Sequence, residues 1–160
     1  MMLRHLSKYH RAYGRYLWPS LAIILLIAYW RCLPQPLFTD PVSTVVVDSE
    51  GKLLGARIAT DGQWRFPYQE AVPDKFASAI TTFEDKRFYQ HPGVDPLAIG
   101  RALVKNIRKK RVVSGGSTLS MQVIRLSRKG KPRTVKEKLI EIVLATRLEL
   151  RYTKEEILAL

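Results

Sequence analysis

Residues 84–93 read EDKRFYQHPG, and residues 115–122 read GGSTLSMQ. The first stretch closes a run from Asp74 to Tyr89 without Gly or Pro, on which Phe76, Ile80, Phe83 and Arg87 fall on one stripe. The spacing predicts a helix over 74–89 ended by Pro92-Gly93. On such a helix Glu84 and Asp85 point about 100° apart and do not form a shared-proton dyad. Glu84 shares a stripe with Ile80 and Phe88 and leans toward the packed side. Asp85 is freer to take an ion pair or a cap-like hydrogen bond. The second stretch is a glycine turn with hydroxyl caps ahead of a helix to about Arg128. Its amides and hydroxyls, Ser117 and Thr118 among them, suit an anion. A plain capped loop has the same composition, and the Walker spacing is absent.

Between and beyond these stretches the helical signals continue. Asp95-Pro96 is an N-cap followed by Pro at the first helical position, opening a helix through about Arg111. A loop at 129–133 precedes the capping box of Thr134 and Glu137, which starts a long helix, and Thr153 with Glu156 forms a second box. Glu141 interrupts the apolar run Leu139, Ile140, Ile142, Val143, Leu144, Ala145. Seven consecutive helical residues sample every face, so this helix is expected to be buried nearly all round. A carboxylate there must be paired, protonated or facing a cavity. Together with Glu84 it makes two semi-buried carboxylates beside a basic tract, a general-base arrangement over a phosphate site.

Upstream, Val45 to Val47, a turn at 49–51 and Lys52 to Ile58 read as antiparallel strands, with Trp64 to Phe66 after the Asp61-Gly62 turn as a third. Residues 34–41 are proline-rich and read as a stiff linker. Residues 16–30, YLWPSLAIILLIAYW, carry no charge. Extended to Leu33 with Arg31 snorkelling, they give roughly 27 Å of helix for a transmembrane anchor over 16–33. The bases Arg4, Lys8, Arg11 and Arg15 make residues 1–15 a cytoplasmic tail and place the chain after about residue 34 outside the membrane. A cleaved signal peptide and a core helix are the rival readings. The exit at Ala28 to Cys32 is too bulky for cleavage, and Cys32 is left as an unpaired thiol at the outer interface.

The chain has 160 residues, with 27 Lys plus Arg against 14 Asp plus Glu and a net charge of +13. One domain is the natural size, and an anionic partner is implied. A single cysteine excludes a disulfide framework and a cysteine zinc site, and three scattered histidines argue against a histidine metal centre. Twelve bases and no acid stand between Asp95 and Glu137. Two readings of that tract stay open: a solvated face beside an acidic lipid surface, or a trough for phosphates close to the membrane. Nucleic acid is disfavoured, because the topology puts the tract outside the cytoplasm.

The sites together resemble the peptidoglycan glycosyltransferase domain of class A penicillin-binding proteins, most of all their 1C type. The motif E-D-x-x-F-x-x-H-x-G is met from Glu84 to Gly93 and G-G-S-T-[IL]-[TS]-x-Q from Gly115 to Gln122. R-K-x-x-E is met in part by Lys138 and Glu141, with Glu137 where arginine is usual. The resemblance covers nearly the whole chain and implies a mainly α, lysozyme-like glycosyltransferase fold with a small antiparallel β element, over 42–160. It also implies that a chain ending at Leu160 lacks the C-terminal part of that domain and is inactive alone. No Lys-Thr-Gly of a transpeptidase occurs, and the Ser-x-x-Lys at Ser49 to Lys52 falls on the turn between the two strands read above.

What the resemblance implies chemically is polymerisation of lipid II by inverting glycosyl transfer, with release of undecaprenyl pyrophosphate, in cell-wall synthesis. Glu84 would be the general base and Glu141 the second essential carboxylate, orienting the donor. Arg125, Arg133 and Lys138 would clamp the pyrophosphate. Ser117, Thr118 and Gln122 would shape the donor pocket, with Asp85, Phe88 and His91 holding the first motif. A divalent cation, Mg or Mn, is compatible with the pyrophosphate. Partners would be lipid II, the growing glycan strand, inner-membrane lipids and cell-wall synthesis proteins, at the bacterial inner membrane. The alternative from another class is a truncated, non-catalytic, membrane-anchored module that binds lipid pyrophosphate.

Overall fold

The computed structural model describes residues 2–69 and 71–160, with side chains described from Tyr16 onward. Two compact units divide the chain, one through Pro34 and the other from Gln35 to Leu160. The first is a single helix, α1 (Met2–Arg31). From Tyr16 to Ala28 every side chain on it is exposed. Among the described residues no helix is long and apolar enough to cross a membrane. This corrects the span expected over 16–33. The helix ends at Arg31 rather than Leu33, so its uncharged part is roughly 22 Å against about 30 Å of hydrocarbon. The basic side chains of residues 1–15 lie outside the described residues.

The second unit is mainly helical, with one small sheet. Strands β1 (Thr44–Val47) and β2 (Leu53–Arg57) pair antiparallel, Thr44 opposite Arg57, with a bulge at Val46/Val47. Asp48 makes the turn by accepting the amides of Glu50 and Lys52 at 2.9 and 2.8 Å, with Gly51 at φ +81°. Residues 64–66 are not a strand, contrary to the three-stranded reading. They meet the chain through Ser43, whose amide donates to the Arg65 carbonyl at 2.7 Å and whose hydroxyl accepts the Arg65 amide at 3.1 Å.

Five helices follow, α2 (Asp74–Glu84), α3 (Pro96–Lys109), α4 (Leu119–Ser127), α5 (Val135–Glu149) and α6 (Lys154–Ala159). The core lies where α4 packs on α5 and α6, and it is filled by Met121, Ile124, Leu144, Ala145, Leu148 and Ile157. Phe88, in a 3₁₀ turn over 88–90, closes it from the first motif. Capping signals fix the helix starts. Asp95 accepts the Ala98 amide, Thr118 that of Met121, Thr134 that of Glu137, and Thr153 with Glu156 forms the full box.

Two helix expectations are corrected. The helix from Asp74 ends at Glu84 rather than Tyr89, because Asp85 leaves it at φ −153°. The stripe therefore never reaches Phe88, and no residue of α2 is buried, Phe83 being 90% exposed. Helix α5 is not buried all round either. Leu144, Ala145 and Leu148 face the core, but Leu139 and Val143 are exposed.

Candidate active site

The first motif is held against the N-terminus of α4 by buried polar groups. Asp85 accepts the Leu119 amide at 3.0 Å and sits 3.0–3.1 Å from His91 Nε2. Thr118 donates its hydroxyl to the Gly93 carbonyl at 2.6 Å while capping α4. Gly93 has φ +90°, and a Cβ there would stand 2.5 Å from the Ala145 carbonyl oxygen of α5. Only glycine lets the loop lie that close to the helix. Asp85, Phe88, His91 and Thr118 are all buried, and His91 is held against Asp85 through Nε2.

Glu84, the last residue of α2, is exposed rather than on a packed stripe. Its Oε2 accepts from Gln122 Nε2 of α4 at 2.9 Å. Glu141 is buried at 7% exposure and receives Lys138 Nζ at 2.9 Å, one helical turn away. The same ammonium donates to Ser117 Oγ at 2.7 Å. Of the alternatives for a carboxylate in an apolar run, pairing is met by Lys138 and a cavity is met as well. Glu141 borders a cavity of about 160 Å³ lined by Arg125, Arg128, Lys131, Arg133 and Glu137. The structure therefore brings Glu141, Arg125 and Arg133 to one basic pocket. It ties Lys138 and Ser117 to Glu141, and it sets Glu84 against Gln122, one turn before Arg125 on α4.

Glu137 behaves differently from the capping-box expectation. Thr134 Oγ1 accepts its amide at 3.1 Å, but its carboxylate pairs with Arg128 Nε across the loop. The Arg128 guanidinium holds that carboxyl below the usual range. One cation of the pocket is thereby already engaged. Both carboxylates at the pocket are paired with bases, and among the described residues no three His, Cys, Asp or Glu side chains converge to hold a metal. The donor set does not fit a protein-bound Mg or Mn.

A family model described as Transglycosylase matches residues 51–160. The chain belongs to the transglycosylase family. It is 37% identical over 150 residues to penicillin-binding protein 1C of Escherichia coli (strain K12), covering 89% of this chain and 19% of that protein. It is 34% identical over 144 residues to penicillin-binding protein 1A of Aquifex aeolicus (strain VF5), 86% of this chain and 19% of that one. Penicillin-binding protein 1A/1B of Bacillus subtilis (strain 168) is 38% identical over 126 residues, 79% of this chain and 14% of that protein. The transglycosylase chain thus spans less than a fifth of the length of these relatives.

Two supports of this arrangement lie outside the candidate site residues read from the sequence. Lys154 Nζ donates to the His91 carbonyl at 2.8 Å and to Glu149 at 2.7 Å, and it lies 4.4 Å above the Phe88 ring. Glu149 in turn accepts from Ser120 of α4. At the start of a short helix, a lysine reads as surface until its long-range partners are known. The other is Arg87, whose Nε donates to Asp95 Oδ2 at 2.9 Å.

Arg87 and the Ala98 amide hold the Asp95 carboxyl down to about 2. Because the folded value lies below the unfolded one, this pair stabilises the fold fully above about pH 4. That contribution is lost as pH falls toward 2. The expected size is on the order of 1–2 kcal/mol, discounted for the partly exposed guanidinium. Denaturation midpoints across that window should fall less steeply for Asp95→Asn than for the unsubstituted chain. Parallel slopes would remove Asp95 from the acid response.

Proposed function

We propose that this chain carries the reacting centre of a peptidoglycan glycosyltransferase that polymerises lipid II and releases undecaprenyl pyrophosphate. One observation carries the reading. Helix α4 presents Gln122 to Glu84 and, one turn on, Arg125 to the basic pocket bordered by Glu141. A general base at the end of α2 held by Gln122, and an anion site lined by Arg125 one turn further along the same short helix α4, are what an in-line displacement from a pyrophosphate needs.

In this reading Glu84 takes the proton of an acceptor sugar hydroxyl as that oxygen attacks the donor's anomeric carbon. The carbon–oxygen bond to the pyrophosphate breaks on the opposite side, giving inversion. The charge left on the pyrophosphate is taken by Arg125 and Arg133. Gln122 fixes the orientation of Glu84, and Glu141 orients Lys138, which with Ser117 faces the donor. Asp85, Phe88, His91 and Thr118 keep the first motif on α4 so that base and pocket hold their spacing.

Helix α1 is proposed as the membrane attachment, with the second unit on the outer face of a bacterial cell membrane. Its support is the all-round exposure of apolar side chains from Leu17 to Ile27, a surface that water does not favour. Tyr16, Trp18 and Trp30 flank that apolar stretch, where amphipathic rings favour an interface. Lipid II, the glycan strand and other cell-wall synthesis proteins would be the partners.

The test with this chain is retention of a labelled polyprenyl pyrophosphate in detergent micelles, with the corresponding polyprenol as comparison. The expected result is retention of the pyrophosphate alone. Equal retention of both lipids would reduce the pocket to a general apolar surface.

A further inference from the structure

Residues 111–118, between α3 and α4, form neither helix nor strand. Among the described residues no backbone–backbone hydrogen bond involves residues 111–117. The segment is held by a side chain instead. Asn106, in the last turn of α3, accepts the Val113 amide at 2.8 Å and the Ser114 amide at 2.9 Å. Its own amide donates to the Ser114 carbonyl at 2.9 Å. One side chain thus satisfies three backbone groups that have no partner in a helix or sheet.

What lies beyond that clamp is short and pliant. Gly115 and Gly116 separate Ser114 from Ser117, and glycine has more backbone freedom to lose than any other residue. Gly116 rests on α3, where an added Cβ would stand 2.7 Å from the Ile99 Cα. On the far side Thr118 is fixed by its bond to the Gly93 carbonyl at 2.6 Å. Ser117, between them, meets Lys138 Nζ, which donates to its hydroxyl at 2.7 Å and to Glu141 Oε2 at 2.9 Å. The Lys138 side chain is 42% exposed, so the Ser117 contact is what draws its ammonium to the loop rather than to solvent. Thr118 sets where Ser117 ends. How the chain enters sets the dihedrals that aim the hydroxyl, and Asn106 governs that entry.

We propose that Asn106 is a positioning residue: by clamping residues 113–114 it aims the Ser117 hydroxyl at Lys138 and keeps that ammonium beside Glu141. Its consequence for the donor rests on glycosyl transfer at this centre, whereas the placing of the ammonium does not. A plain loop anchor would support the fold without being coupled to Ser117. The two roles differ in what a second substitution does. Once Ser117 has lost its hydroxyl, Asn106 has nothing through which to reach Lys138, so the two substitutions should not add.

The test uses the full chain in detergent micelles and reads Lys138 by its rate of acetylation with acetic anhydride, followed by mass spectrometry. An ammonium held by two hydrogen bonds acetylates slowly. Lys154, held by the His91 carbonyl and Glu149, is the internal control for loosening elsewhere. Asn106→Leu, which keeps the volume and removes all three bonds, should raise the Lys138 rate about tenfold, the scale of one charge-assisted hydrogen bond. Asn106→Asp keeps an acceptor for both amides and should hold the rate within about twofold. In a Ser117→Ala chain, already fast, Asn106→Leu should add nothing. Retention of labelled polyprenyl pyrophosphate should fall with Asn106→Leu, and no further in the Ser117→Ala background. Any of four results would overturn the proposal: an unchanged Lys138 rate, effects that add to those of Ser117→Ala, no rescue by Asn106→Asp, or a parallel rise at Lys154. Lys138 responding as expected in a chain that retains no pyrophosphate would refute the donor reading alone and uphold the positioning.

Discussion

Replacing Glu84 by glutamine is expected to lower glycan-chain formation by about 10²–10⁴-fold, the range for a lost general base. Donor retention should be unchanged. The substitution is clean because the amide keeps the oxygen that accepts from Gln122 Nε2 at 2.9 Å, so geometry is preserved and only basicity goes. The rate is measured in a fusion in which this chain replaces the matching residues of penicillin-binding protein 1C. Normal turnover by Glu84→Gln would move the base elsewhere, with Glu141 the next carboxylate to test. Glu141 is already committed to Lys138, which suits orientation better than proton transfer.

The second large effect is expected at the basic pocket. Arg125 and Arg133 are exposed, and no carboxylate among the described residues engages either guanidinium in competition with an incoming anion. Removing either charge-assisted interaction is expected to weaken polyprenyl pyrophosphate retention about 10–100-fold, and the double substitution Arg125→Ala with Arg133→Ala about 10²–10⁴-fold. Glu137→Arg should act in the opposite direction, since it releases Arg128 from its ion pair and adds a cation. Titration of labelled lipid against these chains reads both directions. Unchanged retention in all of them would return these bases to a solvated face.

The helix starts were legible because capping is local chemistry. Asp95, Thr118, Thr134 and Thr153 each accept an amide three residues on, as their side chains favour anywhere. The end of α2 was not legible. Asp85 is drawn out of the helix toward an amide 34 positions away, at Leu119, and no local pattern encodes that partner. Once the helix stops at Glu84, the stripe through Phe88 has no meaning. Glu84 stands exposed and Asp85 buried, the reverse of what a longer helix suggests.

Glu141 was legible as a carboxylate needing a partner, and Lys138 supplies it. That Leu139 and Val143 remain open depends on which faces of α5 its neighbours cover, which periodicity cannot show. The basic tract read as one feature because sequence runs in one dimension. The fold splits it between α3 and the pocket of α4 and α5. Glu137 satisfied a capping pattern, yet its carboxylate goes to Arg128, because a full charge offers more than a backbone amide.

The central claim, that the Glu84–Gln122 pair and the basic pocket form one glycosyltransferase centre, is tested most directly by the product. Lipid II labelled in its sugars is incubated with the fusion carrying this chain, and the products are resolved by gel before and after lysozyme digestion. A ladder that lysozyme removes, present with Glu84 and absent with Glu84→Gln, is the predicted result. No ladder with Glu84 in place, or an equal ladder from the glutamine variant, would contradict it.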